Sequence, residues 1–199
     1  YEHILMEPDP VPAYALKLLV AMTEHNPTYT RTCVRLPTSL QPCHQNLLLN
    51  FEIWPIRQIR LVEESRLIPL IFEVILEHQE SMLGNTMQSV IALLNNLVTC
   101  KDSNMKLLYE QGLVSHICNM FTETATLCLD MDNKNNELAT TLLFSLLDIL
   151  HSMLTYTSSV VRLALQSQKS GSGGDTQAAE DLLLLSKPLT DLIRLLIPL

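Results

Sequence analysis

The chain repeats itself. Glu110-Gln-Gly-Leu-Val-Ser-His-Ile-Cys-Asn-Met120 reads as a second copy of Glu64-Ser-Arg-Leu-Ile-Pro-Leu-Ile-Phe-Glu-Val74, both obeying Glu-x-x-Leu-aliphatic-x-x-Ile-x-x-apolar, 46 residues apart. A unit recurring at such a period hides its apolar face only by stacking on its neighbours, which restricts the chain to a solenoid. The content of the unit is helical. Thr86 to Val98 places Met87, Val90, Ile91, Leu94, Leu97 and Val98 on one face at helical spacing. A polar turn, Lys101-Asp-Ser-Asn104, comes next, then Met105 to Glu110, Gly112 as a helix breaker, and a helix over Leu113 to Phe121.

A helix-turn-helix unit of this length is the mark of armadillo or HEAT repeats, so the expected fold is all-α, an armadillo/HEAT-type helical-repeat solenoid fragment. A partial third copy follows: Ile149 to Thr155 and Val161 to Leu163 lie over Leu93 to Thr99 and Met105 to Leu107 at an offset of 56. The extra residues are assigned to a polar loop over Glu123 to Asn136. At the N-terminus, Leu18-Leu-Val-Ala-Met22 through Arg31 lies over Leu93 to Lys106 at an offset of 75, whereas from Leu61 onward the offset is 46. The difference marks residues 32–60 as inserted material. That segment holds the single tryptophan, Trp54, with Pro37, Pro42, Pro55, Cys33 and Cys43, and has no sustained helical period. The expected organisation is first repeat helices at 1–31, the insertion at 32–60, repeats at 61–165, a Gly/Ser-rich flexible linker at 166–176, and the start of a next repeat at 177–199. An opening without Met and an end inside a leucine-rich pattern fit a piece of a longer protein.

Charge narrows the partners. Thirteen basic residues against 21 acidic, net −8, oppose binding to nucleic acid or an anionic membrane surface, and favour basic or neutral protein partners. The apolar runs Leu182 to Leu185 and Leu192 to Leu199 are bounded by charges, so no transmembrane segment is expected. Five cysteines at irregular spacing point to a reducing, cytoplasmic setting. The five glycines, at 84, 112, 171, 173 and 174, form neither a dinucleotide fingerprint nor a phosphate loop. Kinase, hydrolase-elbow and zinc-protease signatures are all missing, so no catalysis and no cofactor are expected. Asp130 to Glu137 resembles a calcium loop, but Lys134 and Asn135 stand where a ligand oxygen and the turn glycine belong. Cys33, Cys43 and His44 lack an identifiable fourth zinc donor. His78, His116 and His151 have no partnered carboxylate or serine in sequence, and Cys100, Cys118 and Cys128 fit small buried apolar positions.

Asn96 is the one candidate groove residue. Leu94-Asn95-Asn96-Leu97 resembles the third helix of peptide-binding armadillo proteins such as importin-alpha and beta-catenin, where an asparagine holds an extended peptide backbone. Equivalent positions carry Ala21 and Ser152, so no full asparagine ladder exists, and a structural or solvated Asn96 is the preferred of the two readings.

Asp9-Pro-Val-Pro-Ala-Tyr-Ala-Leu-Lys-Leu-Leu-Val-Ala-Met-Thr-Glu-His-Asn-Pro27 and Leu61 to Leu199 together resemble the C-terminal armadillo-like region of the Unc-51-like serine/threonine kinases. The resemblance implies a long protein with an N-terminal kinase-like domain, a pseudokinase in the relevant branch, followed by a helical scaffold. It further implies association with microtubule cytoskeleton, cilia and neuronal growth. A protein-interaction scaffold is the expected role; a regulatory tail docking on its own kinase-like domain is the alternative.

Overall fold

The computed structural model describes residues 2–24, 66–99, 105–130, 136–169 and 176–197. The segment expected to be an insertion, the asparagine-rich stretch 131–135 and the glycine-rich stretch 170–175 lie outside them. Among the described residues the helices are α1 (Glu2–Leu5), α2 (Val11–Thr23), α3 (Leu67–Glu77), α4 (Asn85–Thr99), α5 (Met105–Glu110), α6 (Leu113–Asp130), α7 (Asn136–Lys169), α8 (Thr176–Leu185) and α9 (Lys187–Leu196), with a 3-10 turn at Gln79–Ser81. No strand occurs among the described residues.

Contacts sort these helices by rank within the repeat. The third helices form one layer, α2 on α4 and α4 on α7. The second helices form another, in which α1 meets α3, the ring of Phe72 on α3 stacks on His116 of α6 at 4.5 Å, and α9 packs on α6. First helices α5 and α8 pack together between the layers. Each unit thus buries its apolar stripes against the next, as stacking repeats must. The core runs unbroken through Leu16 and Leu19, Ile71, Ile91, Leu94 and Leu97, Leu108, Ile117, Leu146 and Met153. Truncating one such leucine to alanine costs about 2–5 kcal/mol.

Local chemistry sets the joints. Between α5 and α6, Gly112 takes φ +95° and its N–H donates to the Tyr109 carbonyl at 3.0 Å, a left-handed stop that glycine adopts without a Cβ penalty. α8 ends at Ser186, whose hydroxyl donates to the Leu182 carbonyl at 2.7 Å, and Pro188 occupies the first turn of α9, where its missing N–H is no loss.

Two boundaries differ from the sequence expectation. α6 continues to Asp130, so Glu123 to Asp130 is helix and not loop, and α7 continues through Gln166 to Lys169, into the expected linker. Within α6 and α7 serine and threonine hydroxyls donate to carbonyls three or four residues back, as Thr122 to Cys118, Thr126 to Thr122, Thr155 to His151 and Ser159 to Tyr156, and of these Thr126 lies in the stretch read as loop. Residues that read as loop formers are accommodated within the helix this way.

Candidate interaction surface

Asn96 lies on α4 and its amide reaches across to the C-terminal turn of α2. Its Nδ2 donates to the Val20 carbonyl and to the Thr23 hydroxyl, both at 3.1 Å, and Thr23 Oγ1 in turn donates to the Leu19 carbonyl at 2.8 Å. The Val20 carbonyl already accepts from the Glu24 N–H at 2.9 Å and the Thr23 hydroxyl at 3.1 Å, so Asn96 adds a donor from the neighbouring repeat to a helix end that is closed within its own chain segment. Both amide hydrogens point at the neighbouring repeat. Its neighbour Asn95 presents a buried side-chain carbonyl with no hydrogen-bond partner. The equivalent Ala21 is exposed and Ser152 is half-buried.

A second tie, unseen in the sequence, joins the loop before α2 to the first turn of α4 and the end of α3. Thr86 Oγ1 donates to Asp9 Oδ1 at 2.6 Å, and His78 Nδ1 stands 3.9 Å from Asp9 Oδ2. Hydroxyl, carboxylate and imidazole are all present, yet the order is wrong for nucleophilic chemistry. A nucleophile gives its proton to the base, and here the buried Thr86 hydroxyl gives its hydrogen bond to the carboxylate. The arrangement is a clamp.

A third polar junction is buried. The Tyr109 hydroxyl donates to the Met153 carbonyl at 2.7 Å and lies 3.0 Å from Thr157 Oγ1, which is 3.4 Å from Ser186 Oγ. Burial pushes the Tyr109 phenol up to about 12. Burial likewise raises the Cys118 thiol to about 11, so it is an inert core group. The His116 imidazole is held below its ordinary range by desolvation against Phe72. Among the described residues no group of three or more His, Cys, Asp or Glu side chains could hold a metal ion. Cys33, Cys43, His44 and most of the calcium-like loop lie outside the described residues.

What the helices do present is apolar and acidic surface. Val11, Tyr14 and Leu18 form an exposed stripe on α2; Leu147, Leu154 and Leu165 form one on α7. Glu77, Glu80 and Glu123 crowd the α3–α6 edge, where Gln79 Nε2 donates to Glu123 Oε1 at 2.6 Å. α7 is long and apolar enough to cross a membrane by length and composition, a feature absent from the two leucine runs considered in the sequence. Its buried side packs on α4, α6 and α8.

Comparison with known proteins agrees with this architecture. A family model described as serine/threonine-protein kinase ULK4-like, HEAT repeats, matches residues 1–31. The serine/threonine-protein kinase ULK4 of Mus musculus is 74% identical over 200 residues, a match that covers 100% of this chain and 13% of the relative. No solved structure matches.

Proposed function

The chain belongs to the HEAT-repeat region of the ULK4-like serine/threonine-protein kinases, and on that premise we propose that it is a non-catalytic protein-interaction scaffold. The observation that carries the proposal is the third-helix layer, in which α2, α4 and α7 stand side by side as one continuous face. Every polar cluster described above is spent on joining repeats, and none sets a nucleophile, base and acceptor around a cavity. Net charge −8 directs the surface toward basic or neutral partners. Asn96 contributes by fixing α2 on α4, which holds the layer in register for a partner. The proposed setting is cytoplasmic, from the cysteine pattern, and at the microtubule cytoskeleton or cilium, from the family resemblance.

One observation favours a second reading. The matched relative is named a kinase and this chain spans only 13% of it, so a kinase-like domain elsewhere in the same polypeptide is the nearest available partner. A regulatory tail would bind that domain and change its nucleotide binding.

Two titrations separate the readings. The chain is immobilised and exposed to the separately expressed kinase-like domain, and in parallel to basic, neutral and acidic helical peptides of matched length at low and high salt. A scaffold captures basic or neutral peptides and ignores the kinase-like domain. A regulatory tail does the reverse. Equal binding to acidic and basic peptides would remove the electrostatic basis of the proposal.

A further inference from the structure

The internal repeat allows each third helix to be compared with its own copies at successive places in the layer. At the offsets of 75 and 56, Leu16 of α2, Ile91 of α4 and Leu147 of α7 are equivalent, as are Thr23, Val98 and Leu154. On α2 and α4, each of which has a following third helix packed on it, the four residues are at most 5% exposed. On α7, Leu147 and Leu154 are each 40% exposed. The opposite flank mirrors this. Leu18 of α2 is 57% exposed, whereas its equivalents Leu93 and Ile149, which have a third helix before them, are fully buried. Each flank is closed or open according to whether a helix of the same rank stands beside it.

We propose that the open flank of α7 is the seat of the third helix of a following repeat, an amphipathic helix with an aliphatic stripe. What identifies the occupant is the state of that repeat. α8 already stands against α5 in the first-helix position, and α9 against α6 in the second-helix position, so the position beside α7 is the third. The flank is continuous with the α2–α4–α7 interface and has the right form. Leu147, His151, Leu154, Ser158, Val161 and Leu165 recur at helical spacing along it. At 1.5 Å per residue the stripe is about 27 Å long, enough for a helix the size of α4. Its chemistry is aliphatic with short hydroxyls and one imidazole; Arg162 stands beside it, lining with Leu154 and Leu165 a hollow of about 420 Å³. The chain covers 13% of the relative it matches, and a polypeptide of that relative's length has further sequence from which such a helix can come.

A second copy of this chain is the competing occupant, docking its Val11, Tyr14 and Leu18 flank on α7. That contact is head to tail and does not close, so it would build filaments.

The test compares the 199-residue chain with one joined to the stretch that follows the matched segment in the mouse relative, each with and without L147D/L154D. Thermal unfolding by circular dichroism and sedimentation are both read. The added stretch is expected to raise Tm by about 5 °C or more, and the double substitution to erase that gain while moving the shorter chain by less than about 2 °C. An unchanged Tm on extension, or an equal loss in both chains, overturns the proposal. So does concentration-dependent polymer in the shorter chain that L147D/L154D dissolves and extension leaves intact. Should the joined chain fail to fold, a cysteine at position 147 and at the corresponding place in the full-length mouse relative gives a second readout. Maleimide labelling is expected to be at least about tenfold slower in the longer protein, and equal rates overturn the assignment.

Discussion

Replacing Tyr109 by phenylalanine removes one oxygen from the junction of three helix ranks, and its effect can be worked from the geometry. Tyr109 stands in the last turn of α5, is 1% exposed, and has Tyr156 of α7 edge-on to its ring with centroids 5.3 Å apart. Its hydroxyl bridges to the Met153 carbonyl and Thr157 Oγ1, and through Thr157 toward Ser186 at the α8–α9 joint. In Tyr109→Phe the ring stays and the cavity is negligible. The Met153 carbonyl keeps its place in the α7 ladder, so no group is left wholly unsatisfied. The loss is two hydrogen bonds, about 1–2 kcal/mol, which in a chain of this size lowers Tm by about 2–8 °C. Tyr109→Ala also removes the packed ring and costs about 3–5 kcal/mol.

The same substitution has a pH signature. With the folded pKa raised to about 12 from 10.0, the phenol's contribution is fully present below pH 10 and is lost as pH rises through the folded value. Alkaline scans of wild type should therefore show a fall in stability between those limits that Tyr109→Phe reduces. The remainder belongs to groups such as Tyr156, whose pKa is also raised by burial. A Tyr109→Phe protein as stable as wild type at neutral pH, with an unchanged alkaline slope, would refute the account of this junction.

Asn96→Ala should cost about 1–2 kcal/mol in urea unfolding, because two donors to α2 disappear together, and hydrogen exchange should quicken first in Val11–Thr23. Gly112→Ala should cost about 1 kcal/mol from backbone strain alone, since φ is +95° and a Cβ there meets nothing within 4 Å; a loss several times larger in thermal melts would mean a clash. His116 is favoured neutral in the fold, its pKa lying below 6.5. Its contribution is thus complete above pH 6.5 and declines as pH falls below it, and His116→Phe should flatten the acid limb of the Tm profile.

The parts of the fold legible in the sequence are those fixed by short-range periodicity. The apolar spacing of Thr86 to Val98 gave α4 to within a residue at each end, and Met105 to Glu110 with Gly112 behind it gave α5 and its stop. What misled was polarity used as a loop signal. Thr126 bonds the Thr122 carbonyl inside α6, in a stretch that reads as loop. A single chain gives no warning of this, because the same residues suit caps and turns equally well. Pairings between repeats were not legible either. Asn96 finds Val20 and Thr23, and Thr86 finds Asp9, across more than seventy residues. Nothing local to either partner encodes such a contact.

Sequence repetition and burial carry more together than either does alone. Leu147 and Leu154 are ordinary leucines in composition, and scattered exposed leucines need no explanation. Set beside Ile91 and Val98 they become the one pair of following-flank positions left open in a layer that closes them twice before. The same comparison clears α2 of being an anomaly, since Leu18 is exposed only on the side where no third helix precedes it among the described residues. In a solenoid a residue's exposure is a property of its neighbour as much as of itself. It follows that substitutions at Leu147 and Leu154 should have small effects in this chain and large ones in any longer chain that completes the repeat, whereas substitutions at Ile91 and Val98 should be costly in both.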